Sequence, residues 1–147
     1  MPRDLTLKTL NAVHRAWIGL TRGRSGWDAG RMPVLELTTT GRRSGRPHRV
    51  LLTSPARAGD AFVVVASRGG DDRPPAWLLN LRDTPEVEVR LHGGPARAAR
   101  ARVAAPAERR ALWPEVTAAY PGYARYQART SREIALVLIE PTVERSS

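Results

Sequence analysis

The sequence predicts a small antiparallel β-barrel with helical decoration, a mainly β fold with helices (α+β). Three observations carry that reading. About six β-patterned segments lie between Val34 and Glu140. Short turns rich in glycine and charge join most of them. Helical spacing is confined to the start of the chain and to segments between strands, and strands do not alternate regularly with long helices, which argues against a Rossmann sheet. A length of 147 residues fits one domain. Within it, residues 1–33 read as an N-terminal helix and linker, and 34–147 as the barrel.

In chain order, Leu7, Leu10, Val13 and Trp17 recur at helical spacing after Asp4, a suitable N-cap. Thr21–Pro33 is rich in glycine and charge and reads as a loop. From Val34 the period changes. "VLELTTT" alternates and is β-branched, "GRRSG" is a turn, and "HRVLLTS" is a second strand. "ARAGD", residues 56–60, reads as the next turn, and the continuous apolar run "AFVVVAS" as a strand buried on both faces. A loop over Arg68–Pro75 precedes one or two helical turns in "AWLLNLRDTP", stopped by Pro85. "EVEVRL" alternates, "HGGP" turns, and "ARAARARV" pairs with it. "APAERRALWPEVTAAY" reads as a helix with Pro106 in its first turn and a kink at Pro114. "IALVLIE" is a last buried strand.

The formal charge is +10, and Lys8 is the only lysine among 24 basic residues. Arginine richness of this kind arises from coding bias with solvated side chains, or from an anionic partner; clustering separates the two. Cysteine is absent, which excludes disulfides, thiolate metal sites and a cysteine nucleophile, and suits a reducing cytoplasm. The N-terminus makes a poor signal peptide, and the longest apolar run, Ala61–Ala66, is too short to span a bilayer as a helix. His14, His48 and His92 show no metal-ligand spacing, so no metal is expected. Neither a P-loop nor a Gly-x-Ser-x-Gly elbow is present. If the chain is an enzyme, a cofactor supplies the reactive group.

Three clusters can carry chemistry. In "TTTGRRSGRPHR" the threonines Thr38, Thr39 and Thr40, with Ser44, bring hydroxyls, and Arg42, Arg43 and Arg46 bring charge. A glycine turn with these groups suits a phosphate or carboxylate; a solvated hairpin tip is the alternative. "ASRGGDDRPPAWLLN" puts Ser67, Arg68, Gly69 and Gly70 at a sheet end, where a flat ligand can approach the backbone. By itself Trp77 reads as core and Asn80 as a helix-end residue. "YPGYARYQ" holds all three tyrosines, Tyr120, Tyr123 and Tyr126, either as a packing face or as the mouth of a pocket.

In order and spacing these motifs, with "YPGYARYQARTSREIALVLIEP", resemble the deazaflavin (coenzyme F420)-dependent nitroreductase and quinone reductase family, from about Pro33 to Pro141. The resemblance implies a split β-barrel similar to FMN-binding oxidoreductases, with F420 as cofactor and FMN behind it as a candidate. It implies that Arg42, Arg43 and Ser44, with Thr39 and Thr40, meet the cofactor's phosphate and acidic tail. Ser67, Arg68, Gly69 and Gly70 would lie along the deazaflavin ring, and Pro75, Trp77 and Asn80 would help close the groove. Tyr120, Tyr123 and Tyr126 would line the substrate pocket. Where such members carry a proline and then a tyrosine, "VLLTS" offers Leu51 and the Thr53 hydroxyl without a ring, so the resemblance reaches the cofactor further than the substrate.

The implied reaction is hydride transfer to a quinone, nitroaromatic or activated alkene. Ser67 or a nearby amide would stabilise charge on the acceptor, and Tyr126 would donate a proton. A non-catalytic cofactor-binding barrel is the rival. A nucleic-acid-binding barrel lacks its aromatic platform, with a single phenylalanine in the chain. The expected partner is a small-molecule electron acceptor, with no nucleic acid; the chain would be a monomer or homodimer. The N-terminal helix either packs on the barrel or, through Lys8, His14, Arg15 and Trp17, rests on the inner membrane face of the cytoplasm.

Overall fold

The computed structural model describes residues 28–29, 32–91 and 94–142. The expected N-terminal helix, with His14, and His92 of the "HGGP" turn lie outside the described residues. Strands β1 (Asp28–Ala29), β2 (Met32–Thr40), β3 (Pro47–Thr53), β4 (Ala56–Ala58) and β5 (Ala61–Val65) come first. A 3₁₀ turn at Arg68–Gly70 leads to helix α1 (Ala76–Asp83). Strands β6 (Glu86–Leu91) and β7 (Arg97–Val103), helices α2 (Pro106–Ala119) and α3 (Gly122–Ala128), and strand β8 (Leu136–Pro141) complete the order.

All described pairings are antiparallel, in the order β3-β2-β6-β7-β8-β5-β4, with β1 added at the start of β2. The connectivity forces this sheet to curl. Its two outer strands, β3 and β4, are joined only by Ser54 and Pro55. That link reaches about 11 Å between Thr53 and Ala56 Cα atoms, whereas seven flat strands would span about 29 Å. Buried Ser54 fastens the seam: its N–H donates to the Pro33 carbonyl at 2.9 Å, and its Oγ lies 2.9 Å from the carbonyls of both Ala56 and Val63.

Residues 56–60 do not form the plain turn expected of them. Ala56–Ala58 is the edge strand β4, paired with Ala61–Val63, and only Gly59 and Asp60 turn the chain. Three residues of Ala-Arg-Ala are too few to show a period; the β5 template makes them a strand.

The sheet buries both faces in its middle, which explains the unbroken apolar run of β5. Phe62 and Val64 join Leu35, Leu37, Val89, Val137 and Ile139 inside the curl, capped by Trp77, Leu78 and Leu81 of α1. Val63 and Val65 face the other way with Leu136 and Leu138, beneath Val116 of α2 and Tyr123 of α3. Helix α2 runs through Pro114 and starts where Pro106 suits its first turn. The Ala105 N–H donates to Glu108 Oε1 at 2.9 Å, closing that helix end. Among the described residues no helix is long and apolar enough to cross a membrane.

Candidate functional site

The arginine turn is a closed loop at one end of the β2–β3 hairpin. The Gly41 N–H donates to the Arg46 carbonyl at 2.7 Å, and the Gly45 N–H donates to the Gly41 carbonyl at 2.8 Å. Gly45, with φ of 70°, makes the reversal possible. At Gly41 a Cβ would stand 2.6 Å from Ser44 Oγ and 2.7 Å from His48 Nε2, so those two exposed side chains would have to move aside. Arg42, Arg43, Ser44 and Arg46 are all exposed, so their charge faces solvent.

The turn is tethered from below. Asn80, on α1 and 4% exposed, accepts the Arg42 N–H on its Oδ1 at 3.1 Å. Its Nδ2 donates to Thr39 Oγ1, also at 3.1 Å. Thr39 is buried and Thr40 half-buried on the alternate face of β2. Pro75 precedes Asn80 by a turn and a half of helix, about 7.5 Å, and Trp77 sits in the core under α1. Asn80, Thr39, Pro75 and Trp77 are thus a buried frame joining the arginine turn to the loop after β5.

At the other end, β5 runs into Ser67 and a turn of unusual backbone. Arg68, Gly69 and Gly70 have φ of 47°, 64° and 85°. The Arg68 side chain folds back, with its Nε 3.4 Å from Asp71 Oδ2, so backbone is its main offering at the surface. Gly70 permits close packing: a Cβ there would stand 2.7 Å from the Tyr126 carbonyl oxygen. A Cβ on Gly69 would meet nothing within 4 Å, leaving open space over the turn.

That packing seats the tyrosine-bearing helix α3 on the turn that follows Ser67. Tyr120, Tyr123 and Tyr126 form one cluster with ring centroids 4.9 to 6.3 Å apart. Tyr120 folds over Gly122, where any Cβ would collide with its ring. The Tyr120 and Tyr126 hydroxyls are 3.3 Å apart. The Tyr123 hydroxyl lies 2.9 Å from Thr53 Oγ1, so Thr53, at the far end of β3, joins the cluster. The hydrogen bond with Tyr120, then burial, push the Tyr126 phenol up to about 12. Burial also raises Tyr123, against its bond to Thr53.

Local sequence reasoning misses Arg132. Its guanidinium donates to the carbonyls of Asp71 (2.8 Å), Ser67 (2.9 Å) and Ala66 (3.2 Å). No local pattern marks it, because its partners lie over 60 positions away.

The arginine turn and the Thr53–tyrosine cluster stand at opposite ends of β3, about 20 Å apart along the strand. A cationic turn at one end, and at the other an open left-handed glycine turn packed on the tyrosine-bearing helix α3, fit an elongated ligand with an anionic tail and a flat head. The cofactor implied by the resemblance has that form.

Comparison with known proteins agrees. Residues 12–141 match the F420H(2)-dependent quinone reductase family. An F420H(2)-dependent quinone reductase of Mycobacterium tuberculosis is 38% identical over 138 residues, covering 90% of this chain and 88% of that one. A solved F420-H2 dependent reductase superposes with a TM-score of 0.63 at 35% identity, covering 74% of this chain and 94% of that one. A solved domain-swapped dimer has a TM-score of 0.63 at 30% identity, covering 95% of this chain and 100% of that one. With motifs, curled sheet and match in agreement, the chain belongs to the F420H(2)-dependent quinone reductase family.

Proposed function

We propose that the protein reduces a quinone, or another flat acceptor such as a nitroaromatic or activated alkene, at the Tyr120–Tyr123–Tyr126 cluster. Reduced coenzyme F420 is the cofactor, in keeping with the family. The observation that carries the reading is the close packing of the tyrosine-bearing helix α3, through the Tyr126 backbone, on Gly70 of the only turn of three successive left-handed residues among those described.

When bound, the reduced deazaflavin supplies a hydride. Arg42, Arg43 and Ser44 hold the anionic tail, and Asn80 and Thr39 keep their turn in place. Ser67 supplies hydrogen-bond donors for the negative charge that develops on the acceptor oxygen. Tyr126 is protonated at neutral pH and can donate; its raised pKa makes it a weak acid, and the Tyr120 hydroxyl 3.3 Å away can return a proton to it. The aromatic cluster offers ring faces to the acceptor and keeps water from its buried side.

The test is titration with F420, then oxidation of its reduced form by menadione, further quinones and nitroaromatics. Tyr126→Phe should lower kcat about 100-fold while F420 affinity stays within about twofold. Unchanged turnover would remove Tyr126 as the proton donor. Binding without oxidation across the panel would reduce the protein to a cofactor carrier.

A further inference from the structure

The Ser67–Gly70 turn has a backbone that local preference does not explain. Arg68 carries a side chain at φ of 47°, which costs about 1–2 kcal/mol. Two internal bonds close the turn, from the Gly70 N–H to the Ser67 carbonyl (2.9 Å) and from the Asp71 N–H to the Arg68 carbonyl (3.1 Å). The outer grip comes from Arg132. One guanidinium holds the carbonyls of Ala66 and Ser67 before the turn and of Asp71 after it. Only a rigid planar fork can serve three carbonyls so spread; a lysine ammonium is a single point on a flexible stem.

Arg132 is itself fixed to the tyrosine helix. Gln127 of α3 donates from Nε2 to the Arg132 carbonyl at 2.8 Å. Gln127 Oε1 accepts the Ile134 N–H at 2.9 Å and Arg109 Nη2 at 3.0 Å. The Thr130 hydroxyl accepts the Arg132 N–H at 3.3 Å and donates to Asp72 Oδ1 at 2.8 Å. Burial lowers the pKa of Arg132 from its ordinary value; Asp71 and Asp72 favour its charge against that, and Arg68 opposes it.

The consequence follows from peptide planarity. In a trans peptide, a carbonyl and the next residue's N–H point in opposite directions. Drawing the Ala66 carbonyl to Arg132 therefore aims the Ser67 N–H away from Arg132. The grip on the Ser67 carbonyl fixes the following peptide plane as well. A cation at the carbonyl end also polarises that peptide, which strengthens its N–H as a donor.

We propose that Arg132 is a positioning residue for the reduction: by holding the Ala66 and Ser67 carbonyls it sets the Ser67 amide to stabilise charge on the acceptor oxygen. The role rests on the reading of the Ser67 turn as the reaction site. Arg132 acts through the turn and not by touching acceptor or cofactor.

The experiment uses the full chain and the variants Arg132→Lys and Arg132→Gln. Thermal unfolding, F420 affinity, the ¹H–¹⁵N amide resonance of Ser67, and kcat and KM with menadione are measured on each. In Arg132→Lys the Ser67 resonance should move, in the absence of cofactor. Affinity for F420 should stay within about threefold, because the arginine turn is untouched. The kcat should fall about 10- to 100-fold, with KM nearly constant. An unmoved Ser67 resonance, or wild-type kcat in both variants, would overturn the role of Arg132. Parallel loss of kcat, F420 affinity and cooperative unfolding in both variants would also overturn it, as a merely structural contact. Failure of the wild type to oxidise reduced F420 would instead overturn the reaction itself.

Discussion

Asn80→Ala tests whether the arginine turn is held by a buried tether. Asn80 is 4% exposed and its partner Thr39 1%. The side chain makes two hydrogen bonds of 3.1 Å, to Thr39 Oγ1 and from the Arg42 N–H. Each neutral bond contributes about 1 kcal/mol net, and stranding the buried hydroxyl and the amide costs about 1–2 kcal/mol more. The expected loss is about 2–4 kcal/mol, or about 5–15 °C in Tm for a chain of this size. Arg42→Ala is the control. It keeps the backbone N–H and alters only an exposed side chain, so stability should change by less than about 0.5 kcal/mol. Its F420 affinity should fall and become less salt-dependent, since one charge facing the cofactor tail is gone. Urea unfolding followed by tryptophan fluorescence, and F420 titration at two salt concentrations, measure both. An Asn80→Ala protein within about 0.5 kcal/mol of wild type would refute the tether. An Arg42→Ala protein with unaltered affinity at both salt concentrations would refute the anion site.

The two central glycines of the Ser67 turn should respond differently to alanine. At Gly70 the new Cβ meets Tyr126 backbone at 2.7 and 3.0 Å, so α3 must shift; the loss should be about 3 kcal/mol or more, with turnover abolished. At Gly69 the Cβ meets nothing within 4 Å, so only the left-handed backbone resists, at about 1 kcal/mol, while F420 affinity falls; equal destabilisation of the two variants in urea would contradict the packing. The Glu108 carboxyl is held down at about 2, first by the Arg102 hydrogen bonds and then by the Ala105 N–H. Its folded pKa lies below the unfolded value of 4.5, so its contribution is present above pH 4.5 and is lost as pH falls towards 2; Glu108→Gln should flatten the acid limb of stability, and superimposable limbs would rule the contact out.

Much of the fold is legible because its signals are local. Alternation in Val34–Thr40 and Glu86–Leu91 marks half-buried strands, and the run Ala61–Val65 marks one covered on both faces. Pro85 ends one helix near the expected place and Pro106 begins another. Strand β4 is not legible, because Ala-Arg-Ala becomes a strand only by pairing with β5. The turn glycines of the site are legible as a composition, but their division of labour is not. Gly69 and Gly70 are identical in sequence, and only the neighbouring helix makes one open and the other closed.

The sequence by itself determined the residue types of the site: the arginine turn, the Ser-Arg-Gly-Gly end of β5 and the three tyrosines, with the order that aligns them with one family. Tertiary structure decided which of these meet. It set Asn80 beneath the arginine turn, joined Thr53 to Tyr123 across 70 positions, and recruited Arg132 to a turn over 60 positions earlier. The physical reason is that hydrogen bonds and close packing depend on distance in space. A curled sheet whose first and last strands share a two-residue seam brings together groups that no window along the chain can contain.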